Sequence, residues 1–153
     1  MIAVIQRVNS ATVYADGELS GSIKKGLYIL LGVSNGDTDE DARLLSEKIS
    51  KLRIFSDENG KMNLSVMDID GEIMVVSNFT LNANYSHGNR PDYFSSAAPD
   101  EANRLYELFM SLIKHKTKHL ASGVFGADMR TEMSTDGPVT IVMDSNVLKG
   151  GKR

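Results

Sequence analysis

The sequence predicts an α/β fold: a mixed, largely antiparallel two-sheet core with two main helices packed on one outer face, in three layers α/β/β. Three observations lead there. β-branched runs with alternating apolar and polar residues turn back on themselves at Asp-Gly pairs. Only two segments repeat their apolar residues at helical spacing. A chain of 153 residues has the size of one domain, so residues 1–148 read as a single unit and 149–153 as a mobile polar tail.

Residues 2–15 alternate through Ile2, Val4, Val8, Thr12 and Val13, the period of a half-buried strand, with a bend expected near Asn9. Asp16-Gly17 turns it back, because both central positions of a type I′ turn need positive φ. Leu19 to Ile23 is the return strand, and the apolar run Leu27 to Val33 is a central strand covered on both faces. Acids at Asp37, Asp39 and Glu40 open a helix whose stripe is Ala42, Leu45, Ile49 and Leu52. Arg53 to Phe55 is a short strand, with turns at Asn59-Gly60 and Asp70-Gly71 before the apolar strand Ile73 to Ser77. Pro99 takes the first position of a second helix, striped by Ala102, Leu105, Tyr106, Phe109 and Ile113 and ending near His115. Phe125 to Thr135 and Val139 to Met143 read as two final strands separated by Asp136-Gly137-Pro138.

Composition excludes several functions. Hydrophobic residues at 41% and charged residues at 24% rule out a disordered tail, and no apolar run is long enough to span a membrane. The absence of cysteine removes disulfides, cysteine-ligated zinc, iron–sulfur clusters and thiol nucleophiles. A net charge of −3 argues against bulk electrostatic binding to nucleic acid, so an RNA partner must be met by a local patch. No targeting segment is evident; a cytoplasmic location is expected, with no membrane and no DNA partner.

Several motifs invite chemistry and are better explained by structure. Gly32 to Gly36 matches G-x-S-x-G around Ser34, but Asn35 to Asp37 intervene where a nucleophile elbow starts its helix. Asp37, Asp39 and Asp41 mimic the start of a calcium loop but lack its glycine and closing glutamate. His115 and His119 are four apart with no acid between them, so no metal site is expected. The basic run Lys114, His115, Lys116, Lys118 and His119 suits a helix C-terminus, or a phosphate-contacting patch. Arg90, in the loop from Asn82 to Tyr93, is a second candidate for phosphate.

Two segments carry a sharper signal. Ser77-Asn78-Phe79-Thr80-Leu81 ends an apolar strand in hydroxyl and amide side chains, where backbone N–H groups leave the ladder and are free to bind. Asp136-Gly137-Pro138-Val139-Thr140 places glycine before proline, where the preference for a trans bond is only about 0.5–1 kcal/mol.

Together these segments resemble the signatures of the D-aminoacyl-tRNA deacylases. The likeness extends to Met1-Ile2-Ala3-Val4-Ile5-Gln6-Arg7-Val8, Arg53-Ile54-Phe55-Ser56-Asp57, Gly60-Lys61-Met62-Asn63-Leu64, Arg90-Pro91, Ala98-Pro99-Asp100 and Phe125-Gly126-Ala127-Asp128-Met129. Two positions depart from the family pattern: Asn78 replaces a glutamine and Thr135 an asparagine. The resemblance implies hydrolysis of the ester of D-aminoacyl-tRNA, and of glycyl ester mischarged on the alanine tRNA, as a chiral proofreading step without a cofactor. It also implies a homodimer in which a Gly137-cis-Pro138 loop enters the other subunit's pocket and excludes L side chains. The tRNA's terminal adenosine and acceptor stem are the implied partner, and its ribose 2′-hydroxyl is implied to assist.

On this reading Ser77, Asn78, Phe79 and Thr80 form the catalytic strand end, with the N–H groups of Phe79 and Thr80 as oxyanion donors. Gly137, Pro138, Thr140, Arg7, Arg90 and Met129 are expected to bind substrate. The alternative is a non-catalytic dimeric module that binds an amino acid or a tRNA 3′ end.

Overall fold

The computed structural model describes residues 1–151. β1 (Ile2–Ala15) turns into β2 (Glu18–Ile23) through Asp16 and Gly17, whose φ values of 49° and 85° are those the turn requires. β3 (Gly26–Gly32) leads to α1 (Asp39–Ser50), then to the small hairpin β4 (Phe55–Ser56) and β5 (Met62–Leu64). β6 (Glu72–Ser77) ends in one 3-10 turn, Phe79–Asn82. α2 (Pro99–Lys114), β7 (His119–Ser122), β8 (Met129–Asp144) and the short α3 (Ser145–Leu148) complete the chain.

The main sheet runs β2-β1-β3-β6-β7, with β8 also paired to β1. β3, β6 and β7 are parallel, while β1 is antiparallel to β2, β3 and β8. Residues on β3 and β6 alternate between two buried faces. Leu27, Ile29, Leu31, Ile73 and Val75 pack under the helices with Leu45, Ile49, Leu105 and Phe109. Tyr28, Met74 and Val76 face the other way, against Val8, Ala11, Val13, Ile23 and Ala121. The two packed β layers are thus two parts of one hydrogen-bonded sheet: β1 pairs with β3 up to Val8, bends, and carries its second half with β2 over the open face. The ends of the sheet meet where the Ser20 hydroxyl donates to the Ser122 carbonyl at 2.8 Å.

The expected bend near Asn9 has a structural consequence on β8. Val8 faces Thr135 and Gln6 faces Thr140, so Arg7 alone on β1 opposes residues 136–139 on β8. A strand on the outside of a bend needs extra length, and here the surplus projects as a loop. The two final strands expected from the sequence are therefore one strand with an outward bulge. Phe125–Asp128 is not part of it: Ala127 N–H bonds the Val124 carbonyl at 3.2 Å, making a turn before Met129. β5, β7 and α3 carry no clear periodic signal, being only three or four residues long.

Lys149, expected in a mobile tail, is anchored. Its ammonium lies 2.7 Å from the fully buried Asp41 carboxylate, and its N–H bonds the Ser145 carbonyl. The last two residues of that expected tail, Lys152 and Arg153, lie outside the described residues. Among the described residues, no helix is long and apolar enough to cross a membrane.

Candidate active site

β3 and β6 run side by side and end together, so their last residues and the start of α2 enclose one space. A cavity of about 370 Å³ opens there between Leu31, Val33, Ser77, Asn78, Phe79, Ala97, Pro99, Ala102, Tyr106, Phe125 and Met129. Its wall is overwhelmingly apolar. Pro99 and Ala102 are small members of the helical stripe and leave room where larger residues would fill it. Tyr106 spends its hydroxyl on the Val75 carbonyl at 3.0 Å, and burial pushes its pKa up to about 12, so it stays protonated and closes the floor.

The strand end itself is ordered by side-chain amides. Asn78 N–H donates to the Leu31 carbonyl at 2.8 Å, which continues the ladder one residue beyond β6. The Asn78 Oδ1 then accepts from Thr80 N–H at 3.1 Å and from the Thr80 hydroxyl at 2.5 Å, capping the 3-10 turn. The Thr80 N–H, expected as a free oxyanion donor, is therefore already occupied. Phe79 N–H has no partner among the described residues, and Phe79 is one of the residues that line the cavity. Behind the turn, the buried Asn82 donates to the Val33 carbonyl at 2.8 Å and accepts from the Ser34 hydroxyl at 2.9 Å. Ser34 is a strut and has no histidine beside it, which removes the nucleophile reading of Gly32 to Gly36.

The neighbouring acids are structural too. Asp37 accepts from the Met1 ammonium at 2.6 Å and from Ser34 N–H at 2.5 Å. Burial pushes the Asp41 pKa up, but hydrogen bonds from Lys149, Ser145 and Thr38 outweigh it and hold the carboxyl well below its usual range. Among the described residues no group of three histidine or carboxylate side chains is placed to hold a metal ion. Nothing in the local sequence marks Asp41, Asn82 or Ser145 as supports. Asn82 finds its partners 48 and 49 positions back in the chain, and Ser145 reaches Asp41 across 104.

The remaining expected site residues lie elsewhere. Gly137 and Pro138 are exposed in the β8 bulge and joined by a cis peptide bond. A Cβ on Gly137 would fall 2.1 Å from Val139 N, so no other residue fits that backbone. Arg7 is largely buried beside this loop and does not reach the cavity. Its Nε donates to the Asp136 carbonyl at 3.0 Å, its Nη1 donates to the Ile54 carbonyl at 2.6 Å, and the Asp136 carboxylate sits 3.1 Å from Nε. Within this chain Arg7 therefore holds the loop, and it does not line the chain's own cavity, where the sequence reading expects it to bind substrate. Thr140 is exposed just after the loop, opposite Gln6. Arg90 is exposed in a separate loop closed by the Asn84–Asp92 bridge and does not line the cavity.

The chain therefore holds the strand end and Met129 at one end of β3, and Arg7, Gly137, Pro138 and Thr140 at the other. The family model for D-Tyr-tRNA(Tyr) deacylase matches residues 4–144, which contain both ends. The chain belongs to that family. It is 48% identical over 153 residues to a D-aminoacyl-tRNA deacylase of Dictyoglomus turgidum, covering 100% of this chain and 98% of the relative. A D-aminoacyl-tRNA deacylase of Caldicellulosiruptor saccharolyticus is 52% identical over 145 residues, 95% of this chain and 97% of the relative. A solved structure titled c-Myc DNA Unwinding Element Binding Protein superposes with a TM-score of 0.88 at 38% identity, over 94% of this chain and 98% of that one.

Proposed function

We propose that this protein hydrolyses the ester of D-aminoacyl-tRNA to free D-amino acid and tRNA. Family membership supports the reaction, and the observation that carries the mechanism is the unpartnered Phe79 N–H at the lip of an apolar cavity whose lining includes no histidine, carboxylate or lysine. In such a site water attacks the ester carbonyl, the bond to the ribose 3′-oxygen breaks, and that oxygen leaves with a proton. Phe79 N–H stabilises the developing oxyanion, and the ribose 2′-hydroxyl moves the proton. The terminal adenine occupies the apolar space beside Phe125 and Met129, where the cavity is large enough for a nucleoside.

The working unit is a homodimer in the cytoplasm. The Gly137-Pro138 loop of one copy enters the other copy's cavity beside Ser77 to Phe79, and its main-chain carbonyls leave no volume for an L side chain. Glycine fits for the same reason. Discrimination by exclusion costs an L substrate steric overlap and lost solvation. A deacylation assay with one amino acid in both chiral forms on tRNA tests this: D ester is released and L ester is not, and a substrate lacking the terminal 2′-hydroxyl is inert. Equal rates on both forms would sink the proposal, and binding of a non-hydrolysable D-aminoacyl adenosine without turnover of the ester would select the non-catalytic module.

A further inference from the structure

The charges of the molecule are sorted by end. β3, β6 and β7 start at the end opposite the cavity, and both helices finish there, because each helix returns the chain between parallel strands. The first half of α2 lies against the first turn of α1, with Arg104 2.8 Å from Asp39. Lys48 and Lys51 at the end of α1, Lys114 at the end of α2 with Lys116 and Lys118 just after it, and Lys24 and Lys25 before β3 therefore gather at that far end. None of these seven forms a salt bridge among the described residues, and all but the half-buried Lys116 are exposed.

Carboxylates at this end offset part of the charge without cancelling it: Glu72 accepts from the Lys24 backbone N–H at 2.7 Å and keeps its charge, Asp70 borders the shallow groove of Lys116 and Lys118, and Asp136 is paired with Arg7. At the cavity end, by contrast, Asp37, Asp39, Glu40, Asp41 and Glu101 are all paired.

The lysine end is also the loop end. Gly26 faces Val8, and Val8 faces Thr135, so the Lys24-Lys25 turn lies two strand spacings, about 10 Å, from the base of the Gly137-Pro138 loop. The cavity of the same protomer is the length of β3 away, about 20 Å. We propose that these lysines are the tRNA phosphate-contacting surface and that they act across the dimer. The protomer whose loop enters a cavity brings its own lysines to that cavity's mouth, where they hold the RNA backbone beyond the terminal nucleotide. The inference rests on the composite site proposed above. It explains how a chain of net charge −3 binds a polyanion: a local cationic surface, brought to the site by the partner, supplies the attraction that the paired acids around the cavity do not.

The test uses full-length D-aminoacyl-tRNA and the minimal ester D-aminoacyl adenosine. Lys24→Glu, Lys25→Glu and Lys118→Glu together are expected to raise KM for the tRNA at least tenfold at low salt, to flatten its salt dependence, and to leave kcat and the minimal ester unchanged. The matching glutamine set gives a smaller shift in the same direction, which covers any misfolding of the triple glutamate. An unchanged KM for tRNA, or an equal loss on the minimal ester, overturns the proposal.

Mixed dimers test the crossing. A protomer with reversed lysines and an open cavity, paired with one whose cavity is filled by Ala102→Trp, keeps the wild-type KM. The opposite arrangement shows the raised KM; the reverse result overturns action across the dimer. Wild-type protein inert on both esters removes the deacylase reading itself, a failure distinct from either lysine result.

Discussion

The two ends of β3 hold their functional groups by opposite means. At the cavity end, Asn82, Ser34, Asp37, the Met1 ammonium, Ser145 and Asp41 form a connected, largely buried polar network, beside the strand end that Asn78 caps. At the loop end, one guanidinium holds Asp136 and Ile54, and the tip beyond it is exposed. The difference suits the role proposed for each end. A cavity that selects by shape must not change shape, so many bonds share its support. A loop proposed to enter another molecule must project, and this one is held at its base chiefly by Arg7 and has little around its tip.

Three substitutions break or sharpen this contrast. The largest expected effect is at the end with one anchor. Arg7→Ala frees Asp136 and should lower kcat/KM on D-aminoacyl-tRNA about 100-fold, the order expected for a displacement of about 1 Å in a positioning group. Stability should fall too, by about 1–3 kcal/mol, because the Asp136 and Ile54 carbonyls lose their donor. Steady-state kinetics beside a melt separates the two, and a fall under about threefold, less than 1 kcal/mol, would show that the loop keeps its shape without Arg7.

Next is the networked end. Asp41→Ala removes the acceptor shared by Thr38, Ser145 and Lys149 and should cost about 2–3 kcal/mol of stability, the lower side of the range for buried ion pairs because Lys149 reaches solvent. Activity per folded molecule should persist. The sign with pH follows from the depressed folded pKa: this stability is fully present above the unfolded carboxyl value of 3.8 and is lost as pH falls through the lower folded value. Denaturant unfolding from about pH 7 to about pH 3 should thus show the gap between wild type and variant narrowing only below about pH 4. A gap that stays constant throughout would mean that the fold does not lower the pKa of this carboxyl.

The smallest effect is expected at Thr80. Thr80→Ala loses one hydroxyl bond to Asn78 but keeps its N–H on the same acceptor, so about 1 kcal/mol, or roughly fivefold in rate, is the upper bound. Complete inactivation would mean that the hydroxyl takes part in the reaction.

Much of the fold is legible without coordinates. β1, β3, α1 and α2 announce themselves through long periodic patterns, and Asp16-Gly17 through its chemistry. Both halves of the candidate site are legible as motifs. The role of Arg7 is not, because its partners sit 47 and 129 positions away and no local pattern encodes them. The occupied Thr80 N–H is equally hidden. Asn78 is typical of a cap, but whether its oxygen turns onto the backbone or outward depends on the close approach of Leu31 and the 3-10 turn beyond it.

Sequence alone determined the longer strands, the two main helices, the turn residues and the family signatures, since these depend on side-chain periodicity and on the dihedral preferences of single residues. Tertiary structure decided that β1 bends, that β8 must bulge around the outside of that bend, and that the bulge emerges a strand length from the cavity it is proposed to complete. Those are consequences of pairing register between distant segments. Register is set by which faces must be buried together, a property of the packed chain as a whole.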